Sequence, residues 1–245
     1  MDLKVVALVV VLGMQVLVAK AEYREFTDAK GRTLSAKLIR YNDLQKKVTI
    51  KCKGKGIKTV PVSIFSETDQ KYIASWKLNQ DFLSEKKLLV EFKRRKRKNA
   101  DSSYAQGSMD RKYYDCSFII EVENRSTVDF NNVLFEYVIF YSQDKHIKRN
   151  TEKEEEHGTL YVEKTIDLPR KSPQEIETEK LLLYTYRESG YSEVWPDINS
   201  EVHGVILKLS MKSETGETIS REIKYPDNLD HVWTPKTKDV QRRPK

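Results

Sequence analysis

The sequence predicts a mainly β protein made of two small units, the first of which ends in its only helix. Three observations predict this. Short apolar runs that alternate with polar residues recur along most of the chain and are divided by turn residues. Only the segment after Ser66 combines a helix start signal with an apolar stripe at helical spacing. The one long apolar stretch lies at the N-terminus, outside the patterned region.

In the first unit, residues 23–27 read as a strand. The sequence Asp28-Ala29-Lys30-Gly31 reads as a turn, with glycine where a positive φ is needed, and residues 33–41 as a second strand. Asn42-Asp43 marks the next turn. Residues 47–52 alternate, placing Val48, Ile50 and Cys52 on one face, and Gly54 and Gly56 punctuate a hairpin into residues 57–62. Pro61 cannot donate to a ladder, so that last strand is expected at an edge. Ser66 as N-cap with Asp69 three residues on gives a capping-box-like start, and Tyr72, Ile73 and Trp76 form the stripe expected to close a small barrel.

Residues 77–80 read as a linker. Beyond it, residues 88–92 form a strand entering the cationic run Lys93-Arg94-Arg95-Lys96-Arg97-Lys98, and residues 99–111 are polar enough to read as a long loop. Tyr114, Cys116, Phe118, Ile120 and Val122 alternate with polar neighbours as a half-buried strand does. Residues 132–141 are apolar on both faces, as in a central strand covered on both sides. Residues 160–168, 175–183, 202–211 and 217–225 supply the remaining strands, with Thr215-Gly216 as a turn. Seven strands without a long amphipathic helix predict an immunoglobulin-like or fibronectin-like β-sandwich. The expected organisation is a signal peptide over 1–21, a barrel over 22–77, a sandwich over 81–230 and a disordered basic tail over 231–245, with its prolines among lysines and arginines.

The N-terminus sets the expected compartment. Lys4 supplies a positive n-region, residues 5–19 an apolar run broken only by Gly13 and Gln15, and Ala19-Lys20-Ala21 the small residues read by a signal peptidase. The run is shorter than the roughly 20 apolar residues that span a bilayer. Cleavage after Ala21 is therefore expected, giving an exported, periplasmic or extracellular chain with no later transmembrane span. The formal charge of +7 over 245 residues is concentrated in the 93–98 run and the tail. Basicity is thus a property of two segments, and nucleic acid is not an expected partner. Cys52 and Cys116 each lie in a strand-like run and read as small buried thiols, although the oxidising compartment leaves a bond between them open.

The stretch Phe26-Thr27-Asp28-Ala29-Lys30-Gly31-Arg32-Thr33-Leu34, continuing through Ala36-Lys37-Leu38, with Val60-Pro61-Val62 and Ser66-Glu67-Thr68-Asp69-Gln70 before Tyr72, resembles the SLA homology domain one family. The resemblance covers the first unit only. It implies an SH3-like barrel and a role in protein recognition. One family member, in a yeast endocytic adaptor, binds short Asn-Pro-Phe-x-Asp peptides. Other members are exported proteins of Planctomycetes and Verrucomicrobia, the group that this chain resembles with its leader.

Catalytic signatures are missing from the sequence. His146, His157, His203 and His231 are scattered, none at the short spacing to another His, Cys or acidic residue that metal-site motifs use, and no nucleophile elbow, phosphate-cradling loop or zinc-protease motif occurs. The expectation is a non-enzymatic binding or adaptor protein, without cofactor, metal site or catalytic residue, whose partner is a protein or peptide. Lys58, on the edge-type strand, is the candidate to pair with an acidic residue of that peptide. The alternative is an envelope-associated structural protein, held by Lys93, Arg94, Arg95, Lys96, Arg97 and Lys98 and the basic tail to an acidic polymer. Against this, the same run reads as a solvated edge that discourages sheet aggregation, with residues 152–156 as its internal acidic partner.

Overall fold

The computed structural model describes residues 23–106, 109–148, 152–188, 198–213 and 216–234; the expected signal peptide and the tail beyond residue 234 lie outside them. The chain divides into two compact units, Met1–Ile73 and Ala74–Lys245. Among the described residues the protein is mainly β, with one α-helix and three four-stranded sheets of antiparallel strands.

Unit 1 is a meander of β1 (Arg24–Thr27), β2 (Thr33–Asn42), β3 (Lys47–Cys52) and β4 (Gly56–Pro61), paired in that order. The path is open, with β1 and β4 at its ends. Period-two alternation places Phe26, Ala36, Leu38, Val48, Ile50 and Cys52 in the core. Gly31 takes its expected left-handed conformation, φ 79°, in the turn between β1 and β2. The expected edge position of the Pro61 strand is found.

The helix α1 (Glu67–Leu83) is longer than its capping pattern suggested and includes residues 77–80, expected as a linker. Its apolar and paired residues continue past Trp76: Lys77 donates to Asp81 Oδ2 at 2.8 Å, and Phe82 packs edge-on against Phe130 at 5.4 Å. Ser66 caps as expected, accepting from the Asp69 amide at 3.3 Å. Asp69 departs from a capping box. Its short side chain accepts the Thr27 amide at 2.6 Å and an Arg24 bond at 3.0 Å, while the Ser66 amide donates instead to the Thr27 carbonyl.

Unit 2 holds two sheets that share one apolar core. One sheet runs β10 (Leu181–Glu188), β6 (Met109–Asn124), β5 (Leu88–Gln106), with β9 (Pro173–Glu177) also on β6. The other runs β12 (Thr218–Tyr225), β11 (Ser200–Lys212), β7 (Phe130–Lys148), β8 (Glu152–Leu168). Leu88, Phe118, Ile120 and Leu181 from the first meet Phe135, Tyr137, Val205 and Leu207 from the second. Asn124, fully buried, donates through Nδ2 to the carbonyls of Val128 and Leu168, both at 2.8 Å. Arg221 donates to the Leu88 carbonyl at 2.7 Å, and burial lowers its pKa from the usual arginine value. These bonds tie strands of one sheet to strands of the other.

Three expectations change. Eight strands replace the expected seven, because the run over 175–183 is broken at Thr178, which exchanges bonds with the Phe118 backbone through both its amide and Oγ1, at 2.9 Å each. The polar stretch after residue 98 is strand rather than loop: β5 continues to Gln106, and its partner β6 begins at Met109. The C-terminal segment also packs further than a tail beginning at residue 231 allows. Leu229 and Trp233 are buried against Val138, Phe140 and Ile206, on the face of β7 and β11 opposite the main core. This second cover explains why β7 reads as apolar on both sides. Cys52 and Cys116 are free thiols, each buried in its own unit.

Candidate functional site

Three places carry the candidate chemistry, and the first is β4. The Val62 amide donates to the Lys46 carbonyl at 3.1 Å, which makes Lys47 and Pro61 a non-hydrogen-bonded pair. By alternation Thr49–Thr59 and Lys51–Ile57 are non-hydrogen-bonded too, a pairing that brings Thr49 Oγ1 within 2.9 Å of Thr59 Oγ1. Ile57 and Thr59 therefore turn their own N–H and C=O groups outward, along the edge that no described strand covers. Pro61 sits where its missing N–H costs no ladder bond. Lys58 faces the other way. It pairs with the core residue Ile50 and so stands on the core-facing side of the sheet, yet it is exposed because the core ends at β3. Ile57, 65% exposed, offers an apolar contact beside it.

The second place is the cationic run, which lies on β5 at the edge of its sheet. Register assigns its two faces. Arg94, Lys96 and Lys98 pair with Phe118, Cys116 and Tyr114 and continue the inward face begun by Leu88, Val90 and Phe92, whereas Lys93, Arg95 and Arg97 face outward. Lys93 bonds Glu121 at 3.2 Å and Arg95 bonds Glu177 at 3.3 Å, the latter carboxylate also accepting from Ser117 at 2.9 Å. The acidic partners thus come from β6 and β9 of the same sheet and not from residues 152–156, whose strand pairs with β7 in the other sheet. Lys96 Nζ lies 4.3 Å from the centre of the Tyr114 ring, a cation–π contact that the local sequence could not reveal.

The third place was not legible as a site. Glu155 and His157 lie two apart on β8 and so share a face; His157 pairs with Ser142 of β7. On the far side of β7, the pairing of β11 slips between Val202 and Gly204, so His203 occupies a bulge. Val202 and Val205 both stay in the main core, and the inserted residue is turned to the opposite face. The ligating atoms of Glu155, His157 and His203 all lie within 4.8 Å of one another, and the rings of His157 and His203 are 6.0 Å apart.

The C-terminal segment adds a third ring. His231 lies between the buried anchors Leu229 and Trp233, with its ring 4.3 Å from Phe140 and 5.8 Å from His203. Gly204 makes this passage possible. A Cβ there would stand 2.3 Å from the Tyr225 carbonyl oxygen and 2.9 Å from Leu229. Lys224 donates to the carbonyls of Leu229 and His231, at 3.2 and 2.5 Å, fixing the segment from below. Burial lowers the His231 pKa from its ordinary value, and the neighbouring His203 adds to this, so the neutral ring is favoured. His203 Nε2 and His231 Nδ1 are out of reach of solvent and accept or donate no hydrogen bond. Imidazole and carboxylate donors in this number suit a transition metal ion rather than magnesium or calcium. What hid the cluster is distance along the chain: His203 and His231 reach Glu155 and His157 only through the β8–β7–β11 register, a bulge and the returning C-terminus.

No protein-family model matches the chain, and no curated protein matches it. Among solved structures, the Northeast Structural Genomics Consortium target SoR45 aligns at 12% identity and a TM-score of 0.24, covering 66% of this chain and 97% of its own. A second, the "Putative ApaA Protein from Bordetella pertussis", aligns at 11% identity and a TM-score of 0.23, covering 56% and 92%. At such scores neither likeness carries an argument about fold or function. Among the described residues no helix is long and apolar enough to cross a membrane.

Proposed function

We propose that this is an exported, non-catalytic binding protein whose first unit takes up an extended protein segment along the free edge of β4. In this reading unit 1 is a small SH3-like barrel of the SLA homology domain one kind, and unit 2 an immunoglobulin-like or fibronectin-like sandwich that serves as scaffold. The observation that carries it is the edge itself: the backbone groups of Ile57 and Thr59 point outward along an exposed strand, with Lys58 on its core-facing side. An added strand gains main-chain hydrogen bonds there, and side-chain contacts select among candidates. An inward lysine at an edge rejects strands that bring an apolar residue opposite it. It admits one that brings an acid.

The test is a peptide-display selection on the full chain, with binding of the selected peptides then measured for two variants. Thr59→Pro removes an outward N–H without removing a main-chain bond to β3, losing there only the exposed hydroxyl contact to Thr49, and is expected to abolish binding. Lys58→Glu is expected to weaken acidic peptides by about tenfold, the size of one charge-assisted contact of ~1.5 kcal/mol. Unchanged affinity in both variants contradicts the reading.

A second reading rests on β5. Arg94, Lys96, Arg97 and Lys98 are all exposed on one edge strand. With the basic tail they make an electrostatic contact to an acidic envelope polymer, and the protein is then structural. Envelope association that survives molar salt, where the Debye length falls to about 3 Å, excludes this.

A further inference from the structure

We propose that Glu155, His157 and His203 form a binding site for a divalent first-row transition metal ion, of which zinc is the natural probe. The inference is independent of peptide recognition, since it concerns the outer face of β7, β8 and β11 in unit 2. Three features converge. The donors come from two strands that are not neighbours, β8 and β11, which flank β7 with the small residue Ser142 paired to His157. The slip in pairing turns His203 to this face while Val202 and Val205 keep their places in the core. The Nε2 atom of His203 is removed from water without a protein partner, the condition of a ligand whose counterpart is an ion.

The geometry is within reach of coordination. Zinc holds nitrogen and oxygen donors at about 2.0–2.2 Å, so tetrahedral ligands stand roughly 3.4 Å apart. The donors already lie within 4.8 Å, and Glu155 and His157 are exposed and able to turn inward. His231 is not in the converging set. It stacks against the His203 ring at an interplanar angle of 20°, limiting the orientations of that ring, and acts as a positioning residue. Three protein donors leave a coordination position for water or for an external ligand, so the ion is one that a partner molecule can reach.

The test is zinc binding to the untagged full chain, by calorimetry and by metal analysis after dialysis against zinc chloride. The expected result is one saturable equivalent at micromolar affinity or tighter, with a raised thermal midpoint. His157→Ala and His203→Ala are each expected to weaken binding by about tenfold or more and to remove the thermal shift. His157→Gln, at an exposed position, provides a folded variant if His203→Ala perturbs β11; it too is expected to lose the shift. Wild-type protein that takes up no stoichiometric zinc overturns the proposal, as does a His157→Gln, His203→Ala double variant that binds zinc as the wild type does.

Discussion

Units 1 and 2 are both built of antiparallel strands with a lysine on the core-facing side of an edge, yet they finish those edges in different ways. In unit 1 the edge strand is six residues long, and its outward-facing residues are Ile57, Thr59 and Pro61. In unit 2 the edge strand is 19 residues long, and charge occupies both of its faces from Lys93 to Lys98. Its outward cations are partly neutralised by Glu121 and Glu177. The cores differ in the same sense. Unit 1 closes around Phe26, Leu38, Val48, Ile50, Phe65 and Ile73, whereas unit 2 fills the space between two sheets and adds a second cover of Leu229 and Trp233. The difference teaches that a lysine facing inward has no fixed setting: Lys58 stands between the neutral Ile57 and Thr59, whereas Lys96 and Lys98 stand among other cations.

The largest expected effect tests the difference in cores. Phe26→Ala and Phe135→Ala each remove a fully buried ring and are expected to cost about 3–5 kcal/mol. In unit 1 that loss falls on the smaller core, so limited proteolysis should cut the Phe26→Ala chain within unit 1 under conditions where the Phe135→Ala chain still protects unit 2. Equal protection breaks the comparison. Next in size is Asp69→Ala, which strands the Thr27 amide and Arg24, whose guanidinium lies 3.8 Å from the Tyr72 ring centre. About 2 kcal/mol is expected from the unpaired groups, read as a lower urea midpoint for unit 1.

A pH effect follows in unit 2. Burial pushes the Tyr137 hydroxyl up to about 12, the Glu179 amide bond to its oxygen opposing this in part. The unfolded chain then ionises first, near 10. The stability due to the buried neutral phenol is complete below pH 10 and is lost as pH rises from 10 toward 12. Tyr137→Phe should flatten that decline in a series of denaturant titrations. The smallest effect on stability, and the sharpest on the edges, comes from Arg94→Val, Lys96→Val and Lys98→Val together. These extend the apolar face of Phe92 along an unpaired edge, so sedimentation velocity should move toward larger species without a change in unfolding midpoint. Lys58→Val alone should do so less, its strand being shorter.

Much of the fold was legible because it rests on local pattern. The alternation of Val48, Ile50 and Cys52, the edge position of Pro61 and the cap at Ser66 all follow from neighbours in sequence. The two-sided apolarity of residues 132–141 even announced a second cover, although not that Leu229 and Trp233 would provide it. What failed was long-range. A strand made of polar residues after Lys98 is held by its partner β6 and not by its own composition, and the break at Thr178 exists because its hydroxyl finds the Phe118 amide. Of the candidate sites, Lys58 and the cationic run were nominated by type and position, while the face that each residue occupies needed the register. The three-histidine cluster needed a bulge at His203 that nothing in Val202-His203-Gly204 declares.

The central claim, that the edge of β4 receives an added strand, is tested most directly by amide hydrogen exchange on the full chain with and without a selected acidic peptide. The Ile57 and Thr59 amides should exchange fast in the free protein and slow by tenfold or more when the peptide is bound, while Lys58, already bonded to β3, changes little. A bound peptide that leaves Ile57 and Thr59 exchanging at their free rates contradicts the account.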